Sequence, residues 1–172
     1  MTMGWVKMIK QVFNYLANLE WTEHVQSTCI FCDRANFNTI VFEDDSVIAI
    51  ENLHLGGQFH WLIMPKAHGI RDIEALSHQH LALLKEMDQV KKHLVDKYCS
   101  GIPDSAIISG YHRGRRPLVG KVYYPDIISI HHLHLHVIVK PRWILRLFKY
   151  PAWLPLMWKS DVTVMREVQR LV

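Results

Sequence analysis

The sequence predicts an α+β domain, an antiparallel sheet of about five strands with helices packed on it. Three observations point there. Short β-branched runs are separated by turn-forming residues, the run from Ser129 to Lys140 alternates strictly at a period of two, and other stretches carry helical periodicity. With 172 residues, 49% of them hydrophobic and 21% charged, the chain is long enough to bury a core and short enough for one domain.

Residues 3–21 place Trp5, Met8, Ile9, Val12, Phe13, Leu16 and Leu19 on one helical stripe, which predicts an amphipathic helical extension over 1–28. The stripe lacks arginine, so a helix packed on the domain or a partner is preferred to an organellar presequence. Cys29-Ile30-Phe31-Cys32 follows. Such a pair holds zinc only with two further ligands, and otherwise reads as two half-buried reduced thiols. No secretory leader pattern is present. With only 3 Cys, the expected setting is intracellular, cytoplasmic or nuclear.

Thr39 to Phe42 and Val47 to Ile50 form a predicted hairpin across Glu43-Asp44-Asp45-Ser46. Phe59 to Met64 is the next strand, with His60, Leu62 and Met64 on one face. Ser77 is the expected N-cap of a helix that turns Leu81, Leu84, Met87, Leu94, Val95 and Tyr98 inward and stops at Gly101-Ile102-Pro103. Ser105 to Tyr111 reads as a strand. Residues 113–126, rich in Gly, Pro and Arg, read as a basic loop insertion that covers the pocket, meets a partner, or is simply a tolerated surface loop.

Ser129 to Lys140 carries the chemistry. As a strand it puts His132, His134 and His136 on one face and Leu133, Leu135 and Val137 on the other, with His131 out of register. Same-face residues lie roughly 7 Å apart, so His134 can touch a phosphorus-sized centre while its neighbours flank it. A neutral imidazole is a competent nucleophile toward phosphorus. His134 is therefore the candidate nucleophile, and His136 and Ser129 are candidates to orient the phosphate or pass a proton to the leaving group.

His132-x-His134-x-His136 with Ser129 before it, together with Phe59-His60-Trp61-Leu62-Ile63-Met64-Pro65-Lys66-Ala67-His68, resembles the histidine triad family of nucleotide hydrolases and transferases, nearest its Hint branch. The resemblance assigns residues 29–140 to the family domain. It implies a two-fold homodimer and a purine nucleotide whose ribose is held by Asn52. It also implies His60 as a support behind the triad, and a structural zinc on Cys29, Cys32, His68 and His132, with no cofactor required for catalysis. The implied activity is hydrolysis of nucleoside 5'-phosphoramidates through a phosphohistidine on His134. A dinucleoside polyphosphate hydrolase, an aprataxin-like enzyme removing AMP from DNA ends, and a non-enzymatic nucleotide- or zinc-binding module remain alternatives.

The net charge of +4 is uneven: from His112 to Tyr150 eight Lys and Arg face Asp126 alone. That field suits a phosphorylated ligand or a solvated face equally. Residues 141–172 mix aromatic and basic residues and are expected to pack over the pocket or a dimer interface. A membrane-surface or nucleic-acid platform is the other reading, and nucleic acid is the less favoured partner. No apolar run is long enough to cross a bilayer. Asp161 to Val172 closes the chain as a helix.

Overall fold

The structure, a computed structural model, describes residues 29–120, 122–124, 126, 128 and 130–171. The expected helix within 1–28, and Ser129, lie outside the described residues. The strands are β1 (Ile40–Glu43), β2 (Val47–Glu51), β3 (Phe59–Pro65), β4 (Ile107–His112), β5 (Pro117–Val119), β6 (Val122–Tyr123), β7 (Leu135–Val139) and β8 (Trp158–Ser160). The helices are α1 (Leu81–Tyr98), α2 (Trp143–Phe148) and α3 (Asp161–Arg170). One sheet runs β1-β2-β3-β7-β4-β8, every pairing antiparallel, and β5-β6 form a separate hairpin.

Strand parity divides the molecule. Val47, Ala49, Trp61, Ile63, Leu135, Val137 and Val139 face Leu84, Met87, Val90 and Leu94 of α1 and Val164 and Val168 of α3, forming the main core. Ile48, Ile50, Leu62 and Met64 pack with Phe31 and Phe37 in a second cluster, and Ile138 packs with Tyr150 and Trp158 in a third. The pairings Leu62↔His136 and Gly110↔His136 place histidine parity in register with this second set. Helices α1 and α3 thus cover one face, and the histidines belong to the other, where Leu145 of α2 also packs.

Ser77, the expected N-cap of α1, instead caps a 3-10 turn over His78–His80 that leads into it: its N–H donates to His80 Nδ1 at 2.9 Å, and His80 is the residue that precedes α1. At the start of α3, Ser160 Oγ accepts from the Thr163 N–H (3.2 Å), and Asp161 takes Ser109 Oγ (2.9 Å) and Lys91, anchoring the helix to β4 and α1.

Three elements differ from the expectation. The sheet gains β8, whose three residues pair with β4 and are too short to show alternation. The insertion is a hairpin with Gly120 at φ 56 in its turn, a backbone region that glycine adopts without cost. The histidine strand begins only at Leu135. Before it the backbone spends its bonds elsewhere, His132 N–H on Ile130 O (2.9 Å) and Leu133 N–H on Ile70 O (2.8 Å), so His132 sits in a bend.

Candidate active site

His134 immediately precedes β7, and His136 lies within it. His134 Nδ1 is 2.6 Å from the main-chain oxygen of His132. A carbonyl only accepts, so Nδ1 carries the proton and Nε2 keeps its lone pair. Burial holds this ring neutral by pushing its pKa down to about 4, against a smaller opposing pull from the same hydrogen bond.

His136 is fixed from behind. His60 Nδ1 accepts the Gly56 N–H at 3.1 Å, which a backbone amide can only donate. The His54 carbonyl, 3.2 Å from the same Nδ1, can only accept, so the two backbone groups ask for opposite tautomers; Nε2 lies 3.0 Å from His136 Nδ1, and one proton bridges the two rings. His136 Nε2 is buried without a partner among the described residues. His60 is itself completely buried, which lowers its pKa to about 4. The same cause sends that of His136 well down, with the neighbouring imidazoles adding to it.

Asn52 stands by the same ring. Its Oδ1 accepts the His54 N–H at 3.0 Å, and its Nδ2 lies 3.2 Å from His60 Nε2. It also lines a cleft of about 640 Å³ together with His134, His136, Phe31 and Leu62. That volume suits a nucleotide-sized ligand.

His132 leaves the strand face expected for it and joins Cys29, Cys32 and His68, the set that the resemblance implies. Its Nε2 donates to Pro65 O at 2.7 Å, which leaves Nδ1 as an acceptor facing Cys29 Sγ (3.6 Å), Cys32 Sγ (3.8 Å) and His68 Nδ1 (3.3 Å). Cys32 Sγ and His68 Nδ1 are 3.3 Å apart, and all four ligand atoms lie within 4.8 Å of one another. Zn–S of about 2.3 Å and Zn–N of about 2.0 Å put tetrahedral ligand atoms roughly 3.3 to 3.8 Å apart. The four donors fit that polyhedron. Its carbonyl serves His134 while its ring joins the cysteines, because the bend turns the ring away from β7.

Three further residues wall the site: His112, which the sequence did not single out, and Tyr150 and Trp158, from the segment expected over the pocket. His112, at the end of β4, packs edge-on to His136 with ring centroids 4.9 Å apart, and its Nδ1 is buried without a partner among the described residues. Burial takes its pKa down to about 3, with His134, Lys149 and His60 adding to the effect. Tyr150 and Trp158 complete an aromatic wall, at 5.4 and 5.7 Å from the His136 ring. Period two along Ile108, Gly110 and His112 was the available signal. A Cβ on Gly110 would stand 2.6 Å from Trp158 Nε1, so the glycine makes room for the indole.

The insertion is tied at its base rather than laid over the triad. Arg113 grips Glu74 through Nε (2.7 Å) and Nη2 (3.1 Å) and reaches Pro155 O (3.1 Å). Arg71 bonds Asp72, Asp126 and His131, which accounts for the out-of-register histidine.

A family model described as "Scavenger mRNA decapping enzyme C-term binding" matches residues 26–145, well over half the chain. The chain is 29% identical over 127 residues to the adenosine 5'-monophosphoramidase HINT3 of Xenopus tropicalis, covering 71% of this chain and 74% of that protein. It is 34% identical over 101 residues to aprataxin of Danio rerio, covering 57% of this chain but spanning only 26% of the aprataxin. In fold it resembles a HIT family hydrolase from Clostridium thermocellum, with a TM-score of 0.53 at 23% identity, over 66% of this chain and 90% of that one. Family model, relatives and fold agree with the histidine arrangement, and the chain belongs to the histidine triad family, where it is Hint-like.

Proposed function

We propose that the chain is a nucleotide hydrolase that cleaves nucleoside 5'-phosphoramidates through a phosphohistidine on His134. The observation that carries this reading is the bond from His134 Nδ1 to the His132 carbonyl, which leaves a bare Nε2 lone pair on a neutral ring beside the cleft. A nucleophile held this way has already given up its rotational freedom before substrate arrives.

In this reading the α-phosphorus of the nucleotide meets His134 Nε2, and the P–N bond opposite breaks as the N–P bond forms. His136, in the tautomer protonated on Nε2, supplies a hydrogen bond to a phosphoryl oxygen, where negative charge must be held. Asn52 takes the ribose, and Ser129, which lies outside the described residues, is assigned to hand a proton to the departing amine. Water then releases the nucleoside monophosphate. The HINT3 relative is named for this activity, which supports a phosphoramidate over a longer ligand.

Cys29, Cys32, His68 and His132 would hold a structural zinc, tying the 29–32 turn to the triad segment. Phe31 lies inside that turn, with its ring 5.2 Å from the ring of His134. The metal would therefore act on the shape of the cleft.

Single-turnover mass spectrometry with adenosine 5'-phosphoramidate tests the proposal. An added AMP on His134, absent in His134→Ala, is expected. Turnover without that adduct sinks the mechanism, and no turnover at all sinks the activity. Parallel reactions with diadenosine polyphosphates and 5'-adenylated DNA identify the leaving group.

A further inference from the structure

The stretch from Lys140 to Lys159 contains Lys140, Arg142, Arg146, Lys149 and Lys159 and no acidic residue. Its aromatic content suggested packing, yet much of it lies bare. Trp143 is 71% exposed, Phe148 74% and Trp153 64%, with Ile144, Leu147 and Leu156 also exposed. A lone exposed aliphatic residue is ordinary, but six large apolar side chains on one short stretch are not.

Helical geometry arranges them. At about 100° per residue, Trp143, Ile144, Leu147 and Phe148 fall on one arc of α2, and Arg142, Arg146 and Lys149 cluster on another. Leu145 alone turns inward, onto Ile138, Tyr150 and Trp158. The three cations pair with no carboxylate among the described residues. Trp153 extends the apolar arc from the following turn, where its Nε1 donates to Leu147 O at 3.2 Å.

We infer that α2 and the turn after it form a peripheral docking surface for an anionic lipid bilayer. Charge and composition select this occupant. Lys159 is paired with Glu167, but a second copy would set Arg142, Arg146 and Lys149 against themselves, an arrangement that costs energy in a low-dielectric interface. A nucleic acid would neutralise the cations and stack on the aromatic rings, but it offers nothing to Ile144, Leu147 and Leu156. A bilayer interface satisfies all three classes at once: indoles at the headgroup level, aliphatic side chains just beneath, and Arg and Lys on the phosphates. Among the described residues no helix is long and apolar enough to cross a membrane, so the surface lies on the bilayer. Phe148 and Lys149 also line the cleft, so the docked bilayer lies beside its mouth. The inference does not depend on the reaction assigned to the triad.

Co-sedimentation of the full chain with vesicles of phosphatidylcholine, with and without phosphatidylserine, tests it. The chain should bind the vesicles containing phosphatidylserine, more weakly as salt rises. Arg146→Gln should lower the partition coefficient about fivefold. Trp143→Ser should lower it too, with the unfolding temperature unchanged because the ring is exposed. Absence of binding to the anionic vesicles overturns the inference. So does binding that both variants leave intact, which would place the contact elsewhere in the chain. Capture of an oligonucleotide in preference to vesicles overturns it, as does a dimer in solution that Trp143→Ser dissolves.

Discussion

His134 donates its Nδ1 proton to the main-chain oxygen of His132 across 2.6 Å, so the orientation of the nucleophile is set by backbone and not by a second side chain. The ring of His132 is left for other work. Cluster and nucleophile are therefore neighbours in sequence with separable supports.

His60→Ala should lower kcat by roughly tenfold to a hundredfold while changing KM little, since the substitution removes the ring hydrogen-bonded to His136 Nδ1 that orients it. Steady-state rates on adenosine 5'-phosphoramidate read the effect. An unchanged kcat would show that His136 keeps its orientation without help.

Acid should destabilise the fold from about pH 6.5 downward. His60 and His112, held at about 4 and about 3, take up their protons in the unfolded chain first. Stability is thus complete above the unfolded value and is lost as pH falls toward the folded ones, at up to about 1.4 kcal/mol per pH unit for each ring. Thermal unfolding between pH 7 and pH 4 measures the slope. His112→Gln should make it shallower.

Zinc should raise the unfolding temperature by several degrees, since saturation at about a hundred times Kd stabilises by about 2.7 kcal/mol. Cys32→Ser should abolish the increment, as should a chelator. An increment that survives in Cys32→Ser would assign the metal to other ligands.

Gly110→Ala should cost about 1–3 kcal/mol by overpacking. The new Cβ would sit 2.4 Å from Lys159 O and 2.6 Å from Trp158 Nε1, so β8 or the indole must shift. Urea unfolding gives the loss, and a wild-type midpoint would mean that β8 yields freely.

Much of this was legible in the sequence because period two is a strong constraint. Leu133, Leu135 and Val137 enter the core as alternation requires, and Leu84, Met87 and Leu94 do so by helical spacing. His60 and His136 meet because β3 and β7 are neighbours in the sheet, and the resemblance anticipated their pairing. What periodicity could not show is where pairing stops. His132 was placed on the face of His134, but two loop hydrogen bonds end the ladder before it. The hairpin in the insertion was hidden by its Gly, Pro and Arg content, although Pro117-Leu118-Val119 and Val122-Tyr123 bracket a glycine turn. The wall of His112, Tyr150 and Trp158 joins β4 to a segment some 40 residues later through a three-residue strand, a long-range contact with no local signature.

The carbonyl of His132 is present whatever amino acid occupies that position. A lineage that sheds the sulfur and imidazole donors keeps that acceptor but loses the clasp on the turn that holds Phe31 against the attacking ring. Such a loss would loosen the wall of the cleft before it disarmed the nucleophile.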